Sequence, residues 1–180
     1  MKKVRNVLIV AVIVIAAGFA VYDTFFAKQN DVEAALFPEG GPKLKAAAPG
    51  FTLKGLDGNE YTVGGQRSKP MLLNFWASWC GPCELEAPDL VKMHDLYKEK
   101  LDIYAVNMTS TDRMDNLKSF VKHFGFEFPV LLDTEGKVMD LYRIRGLPIS
   151  LLIDENGIIR DMFSVLPPEE LEKRIKQVIS

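Results

Sequence analysis

The only two cysteines of the chain stand together in Trp79-Cys80-Gly81-Pro82-Cys83. A C-x-x-C pair suits one chemistry above others, the reversible exchange of a dithiol for a disulfide. A nearly unbroken apolar run, Met71 to Ala77, precedes the pair and a helix-length segment follows it, which puts the cysteines at the first turn of a helix. Unpaired N–H groups and the positive end of the helix dipole favour a thiolate there, and thiols in such motifs fall from ~8.5 toward roughly 7. Cys80 is therefore the expected nucleophile. Cys83, one turn on, reaches the same sulfur and is expected to be the more buried, which suits it to resolve a mixed disulfide. Pro82 fixes the first turn, where its missing N–H costs little, and Gly81 leaves the approach to Cys80 open.

Blander readings of the pair are weaker. A purely structural bridge over so short a loop removes little entropy from the unfolded chain. A zinc site needs two more ligands, and the only histidines, His94 and His123, lie far apart in sequence and read as surface helix residues. Two inert buried cysteines need no Gly-Pro between them. No metal is expected, and no cofactor beyond the Cys80–Cys83 disulfide itself.

The elements that must position this pair alternate. Phe51 to Leu53 and Glu60 to Val63 flank an Asp57-Gly58 turn and read as a hairpin. Met71 to Ala77, after Pro70, has the unbroken apolar pattern of a strand buried on both faces. A helix from about Cys80 to Lys98 follows, bent by Pro88. Next come a strand from Ile103 to Asn107, a helix from about Asp112 to Phe124, a strand from Pro129 to Leu132 and a short helical piece around Lys137 to Tyr142. Ile149 to Ile153 and Ile158 to Val165 enclose an Asn156-Gly157 turn, and a last helix covers about Glu169 to Ile179. The alternation implies an α/β domain.

The 180 residues carry a net charge of -2, which favours no polyanionic partner and speaks against nucleic-acid binding. Part of the 48% apolar content comes from one N-terminal segment. Val7 to Tyr22 runs without charge or proline, after Lys2, Lys3 and Arg5 and before Asp23. That is about sixteen residues, roughly 24 Å of helix, which Thr24 to Ala27 extend. Residues 1–27 are read as a signal anchor, 28–45 as a tether and 46–180 as the catalytic domain. Basic residues on the N-terminal side alone turn that domain to the extracytoplasmic face of a single-pass membrane protein. The competing reading is a signal peptide cleaved near Gly18-Phe19-Ala20. Both place the domain where disulfides persist.

Asn74-Phe75-Trp76-Ala77-Ser78-Trp79-Cys80-Gly81-Pro82-Cys83, with Pro88 in the helix, resembles the thioredoxin superfamily motif. Ala48-Pro49-Gly50-Phe51, Phe128 to Asp133 and Gly146-Leu147-Pro148 before Leu151-Leu152-Ile153-Asp154 look like its ResA/TlpA-like branch of anchored thiol-disulfide oxidoreductases, over about residues 46 to 178. The resemblance implies a thioredoxin-like fold, a central mixed sheet flanked by helices, with an N-terminal β-hairpin extension and a central insertion. It also implies a cis peptide before Pro148, with Leu147 against the disulfide and its backbone free to pair with a substrate strand. Cytoplasmic thioredoxins place a buried aspartate where this chain has Asn74. Glu86 resembles the glutamate this branch carries at the same offset from Cys83, and it is the expected proton acceptor; its competing reading is an acid favoured near a helix start. Gly81-Pro82 departs from the Glu-Pro pair of the ResA type, which bears on potential and partner. Trp79, Pro82, Leu147 and Pro148 are the expected substrate-binding surface, and Trp76 a core residue.

The expected activity is that of an enzyme reducing disulfides in exported proteins, apocytochrome c among the family's substrates, with a membrane thiol-disulfide electron donor restoring the dithiol. The protein is expected to act as a monomer. The motif itself does not fix direction, so an oxidant or isomerase is an alternative. A thiol peroxidase calls for Thr or Ser where this chain has Ala77, and a non-catalytic binding module calls for no intact C-G-P-C.

Overall fold

A computed structural model describes residues 40–180. The anchor over 1–27 and most of the tether lie outside the described residues. Among the described residues no helix is long and apolar enough to cross a membrane.

Strands β1 (Phe51–Lys54) and β2 (Glu60–Val63) form a separate antiparallel hairpin. The remaining strands, β3 (Met71–Trp76), β4 (Asp102–Asn107), β5 (Val130–Leu132), β6 (Ile149–Ile153) and β7 (Ile159–Phe163), make one mixed sheet in the order β5-β4-β3-β6-β7. The helices are α1 (Gly81–Tyr97), α2 (Met114–Phe124), α3 (Lys137–Leu141) and α4 (Pro168–Val178). β4 pairs parallel to β3 and β5 parallel to β4, as β-α-β crossovers require, whereas β6 and β7 run antiparallel.

All six residues of β3 are buried, which is what its unbroken apolar run predicts for a strand covered on both faces. Side chains alternate along the strand. Leu72 and Trp76 join Ala87, Leu90 and Met93 of α1, Leu117 and Phe120 of α2, and Leu171 and Ile175 of α4 in one core. Phe75 points the other way, onto Tyr142 with ring centroids 5.1 Å apart. Tyr142 also meets Phe51 edge-on and donates to the Pro49 carbonyl at 2.7 Å, which ties the hairpin to the sheet.

Both sheet edges are covered. Leu56 N–H donates to Val130 O at 2.8 Å along β5. On the other side Lys45 N–H donates to Ile159 O, and Ile159 N–H to Ala46 O. A sheet closed in this way offers little template for pairing with other chains. The Asn156-Gly157 turn needs its glycine: φ is +78°, and a Cβ would come within 2.5 Å of Gly65 O.

Two local readings change. The second helix begins at Met114 rather than near Asp112, because the Asp112 carboxylate accepts hydrogen bonds from Ser78, Asn107 and Arg113 and stays outside the helix. His94 is half-buried rather than on the surface, its ring against Phe128 with centroids 5.5 Å apart. Phe128 belongs to the core on which α1 packs, and its ring covers this position. His123 is exposed. α1 passes through Pro88 as a continuous helix.

Asp133 is 1% exposed and accepts from the N–H groups of Val138 and Met139 at 3.1 and 2.9 Å. It satisfies the first turn of α3, which leads into the segment before Pro148. Asp133→Ala is expected to lower unfolding free energy by about 1–3 kcal/mol, because two buried donors lose their acceptor; urea denaturation of the full chain measures it.

Candidate active site

β3 delivers the chain to the site. After Trp76 the backbone turns through Ala77, Ser78 and Trp79, and Cys80 becomes the N-cap of α1, with φ -88° and ψ 107°. Its sulfur accepts from Cys83 N–H at 3.2 Å, taking the place of a capping oxygen. Gly81 and Pro82 form the first turn, where proline forfeits no helical hydrogen bond. Cys80 and Cys83 are joined as a disulfide with Cα atoms 5.3 Å apart.

The contrast in burial read from the sequence is slight, since Cys80 is 6% and Cys83 4% exposed. What differs is where they face. Cys80 lines a groove of about 410 Å³, together with Trp79, Pro82, Met108, Ile144 and Leu147, whereas Cys83 does not. The Leu147–Pro148 peptide is cis. Trp79 is 58% exposed, Pro82 is exposed, Leu147 is half-buried and Pro148 is buried. The segment from Gly146 to Pro148 therefore meets the helix start across an open apolar cleft.

A polar group lies among the buried side chains. Asn74 projects from the same face of β3 as Leu72 and Trp76, and its Nδ2 donates to Glu86 Oε2 and to Ser150 Oγ, each at 3.0 Å. Asn74 and Ser150 are direct partners across the β3–β6 pair. Glu86, three residues beyond Cys83, is 3% exposed, and its Oε1 is buried without a hydrogen-bond partner. Burial pushes the Glu86 carboxyl up to about 7; the Asn74 hydrogen bond opposes that rise and the Asp89 charge adds to it. A buried acid near neutrality can gain and lose a proton at working pH.

The loop before the cysteines is braced from the side. Asp112 accepts from Ser78 N–H at 2.7 Å and from its hydroxyl, and Asn107 Nδ2 donates to the same carboxylate at 2.9 Å. Burial alone would raise the Asp112 carboxyl, but the bonds from Asn107 and Ser78 outweigh it and hold it below its ordinary value. The Trp79 indole donates to Thr111 O at 3.2 Å, so the exposed ring has a fixed orientation.

The structure brings Cys80, Cys83, Trp79, Pro82, Glu86, Leu147 and Pro148 into one region. Ser150 and Asp112 did not stand out in the sequence as site residues. For Ser150 a signal was present: it and Asn74 are each the lone polar residue of an otherwise apolar strand run, and buried polar groups require partners. For Asp112 there was none, because Ser78, whose N–H and hydroxyl both donate to it, lies 34 positions away. Ala77, fully buried, puts no hydroxyl near Cys80.

Comparison with known proteins agrees with this geometry. The model of the AhpC/TSA family matches residues 44–162. The thiol-disulfide oxidoreductase ResA of Bacillus thuringiensis subsp. konkukian is 33% identical over 183 residues, covering 99% of this chain and 99% of the relative. The chain belongs to the ResA-type thiol-disulfide oxidoreductases of the AhpC/TSA family. Within that family, the thioredoxin-like protein YneN of Bacillus subtilis is 30% identical over 177 residues, 97% of this chain and 98% of its own. The crystal structure of StoA from Bacillus subtilis superposes with a TM-score of 0.62 at 26% identity, over 72% of this chain and 97% of that one. The family's fold is the thioredoxin-like sheet described above, and its activity, thiol-disulfide exchange, is that of the Cys80–Cys83 pair.

The raised Glu86 pKa fixes the sign of a stability change. Between the ordinary value of 4.5 and about 7 the folded protein keeps a proton that the unfolded chain releases, so stability falls as pH rises through this window. The oxidised full-length protein is expected to lose roughly 3 kcal/mol between pH 4.5 and 7.5 relative to Glu86→Gln, as the shift implies. Urea unfolding at the two pH values measures the difference, and equal pH dependence in both proteins contradicts it.

Proposed function

We propose that this family member is a membrane-anchored reductant of disulfides in exported proteins, with apocytochrome c as a candidate client. The observation that carries the reading is that Cys80 lines an open groove at the start of the helix that also carries Glu86, a carboxyl pushed up to about 7 by burial. Reduced Cys80 attacks the disulfide of a protein segment held by Trp79, Pro82 and Leu147, while Pro148, expected to join them, is buried behind the groove and shapes the turn through its cis peptide. A Cys80–substrate S–S bond forms, the substrate S–S bond breaks, and the departing substrate sulfur takes a proton from water. Cys83 then passes its thiol proton to Glu86 and attacks Cys80 Sγ. The internal disulfide forms as the second substrate thiolate leaves. The substrate has gained the two electrons that the dithiol lost. A membrane thiol-disulfide carrier reverses the exchange, and Glu86 returns its proton to Cys83.

The N-terminal sequence supports the compartment. Lys2, Lys3 and Arg5 precede the apolar run from Val7 to Tyr22, and a helix with basic residues on that side alone leaves the following domain outside. The cycle draws on the Cys80–Cys83 pair and Glu86 and calls for no metal or bound cofactor, and the proposed working form is a monomer.

Two experiments test the proposal. Equilibrium titration of the Cys80–Cys83 pair against glutathione or dithiothreitol is expected to give a potential near or below about -250 mV; a value near about -120 mV reverses the direction and makes the protein an oxidant. In intact cells, a membrane-impermeant maleimide is expected to label Cys80 after mild reduction. Labelling only after the membrane is broken contradicts the assigned side.

A further inference from the structure

We propose that Arg145 makes the groove selective for protein segments carrying an aspartate or glutamate beside the reacting cysteine. This rests on the reading of the groove as the place where substrate docks. Trp79, Pro82, Met108, Met139, Ile144 and Leu147 give the groove apolar walls, and Arg145 is the one charged residue lining it. Arg145 is exposed, and among the described residues it takes part in no ion pair. Among the described residues the rest of the lining is uncharged apart from Cys80, whose thiolate in the reduced protein is the reacting atom itself, so a carboxylate that pairs with Arg145 comes from the partner.

Position makes the contact feasible. Residues 145–147 make no backbone hydrogen bonds among the described residues, so an extended partner segment can pair alongside them in strand fashion. Arg145 stands two positions before Leu147, at most about 7 Å along the backbone, and its long side chain reaches the residue flanking a cysteine opposite Cys80. A guanidinium offers a carboxylate a planar, two-pronged set of donors. Arg145 is exposed and the groove is open, so such a pair stays partly solvated and its contribution is that of a modest ion pair. Arg143, in the same loop, is exposed and has no ion pair among the described residues, but it does not line the groove. It serves as the control for net charge.

The test uses the reduced full-length protein in detergent and three disulfide peptides identical but for Glu, Gln or Lys next to the cysteine. Rate constants of each variant are divided by those of wild type, peptide by peptide, so that intrinsic peptide reactivity cancels. Arg145→Ala is expected to lower the Glu-to-Lys preference by roughly three- to tenfold, about what one partly desolvated ion pair supplies, while Arg143→Asn, which suits the positive φ of 53° there, leaves it intact. In wild type, raising salt to 1 M is expected to shrink the preference. If Arg145→Ala changes all three rates by one common factor, or none, the assignment is overturned. Trp79→Ala separates the two readings. A loss shared by all three peptides keeps the groove as the docking site whatever Arg145 does, whereas unchanged rates for all three remove the groove reading and the Arg145 inference with it.

Discussion

Strand β3 is hydrogen-bonded along both edges, to β4 on one side and β6 on the other, and it is buried from end to end. Cys80 follows four residues after its last member, Trp76. A reactive sulfur must keep its place relative to a helix terminus and to an incoming partner, and a doubly paired central strand is the part of a sheet least able to move. The chain cannot shift at Phe75 without breaking ladders on both sides, and Trp76 beyond it is still paired with Asn107 of β4. The helix start, the cysteine cap and the cleft are all referred to that fixed point. The brace from Asp112 to Ser78 and the indole bond to Thr111 extend the same rigidity through the loop before Cys80.

The same strand carries the one polar residue that the site needs. An aspartate at position 74 would place a second acid beside Glu86, and two buried carboxyls cannot both ionise at close range. Asn74 instead spends both amide hydrogens on Glu86 and Ser150. One carboxylate oxygen accepts from Asn74, and the other has no protein partner among the described residues. Burial that pushes the Glu86 carboxyl up makes its ionised form costly to the fold, and in the proposed cycle the same shift suits it to take the Cys83 proton.

The groove is a meeting of segments distant in sequence. Cys80 and Pro82 come from the start of α1, Met108 from the end of β4, Met139 from α3, and Leu147 from the turn into β6. Trp79 and Leu147 supply apolar surface, and the free backbone around Leu147 supplies hydrogen bonds common to any protein chain. Under the proposed function those features suit extended polypeptide in general. Under the same reading, the charge of Arg145 in the lining is what remains to distinguish one partner from another.

The nature of the reaction and the order of the elements were legible in the sequence, because both are local. A C-x-x-C pair after an apolar run and before a helical segment specifies a sulfur at a helix start, and periodicity distinguishes β3 from the amphipathic α2 and α4. Glu86 was within reach for the same reason, since it lies on the same helix as Cys83. Tertiary structure alone decided what depends on contacts between distant residues. Ser150 lies 76 positions from Asn74, and only strand register makes them neighbours. Asp112 reads as a helix start until Ser78 claims its carboxylate. His94 reads as surface until α1 meets the aromatic cluster. Burial depends on what covers a side chain, and no short stretch of sequence contains its own cover, so the ionisation of Glu86 and the position of Arg145 at the groove became visible only once the chain had folded.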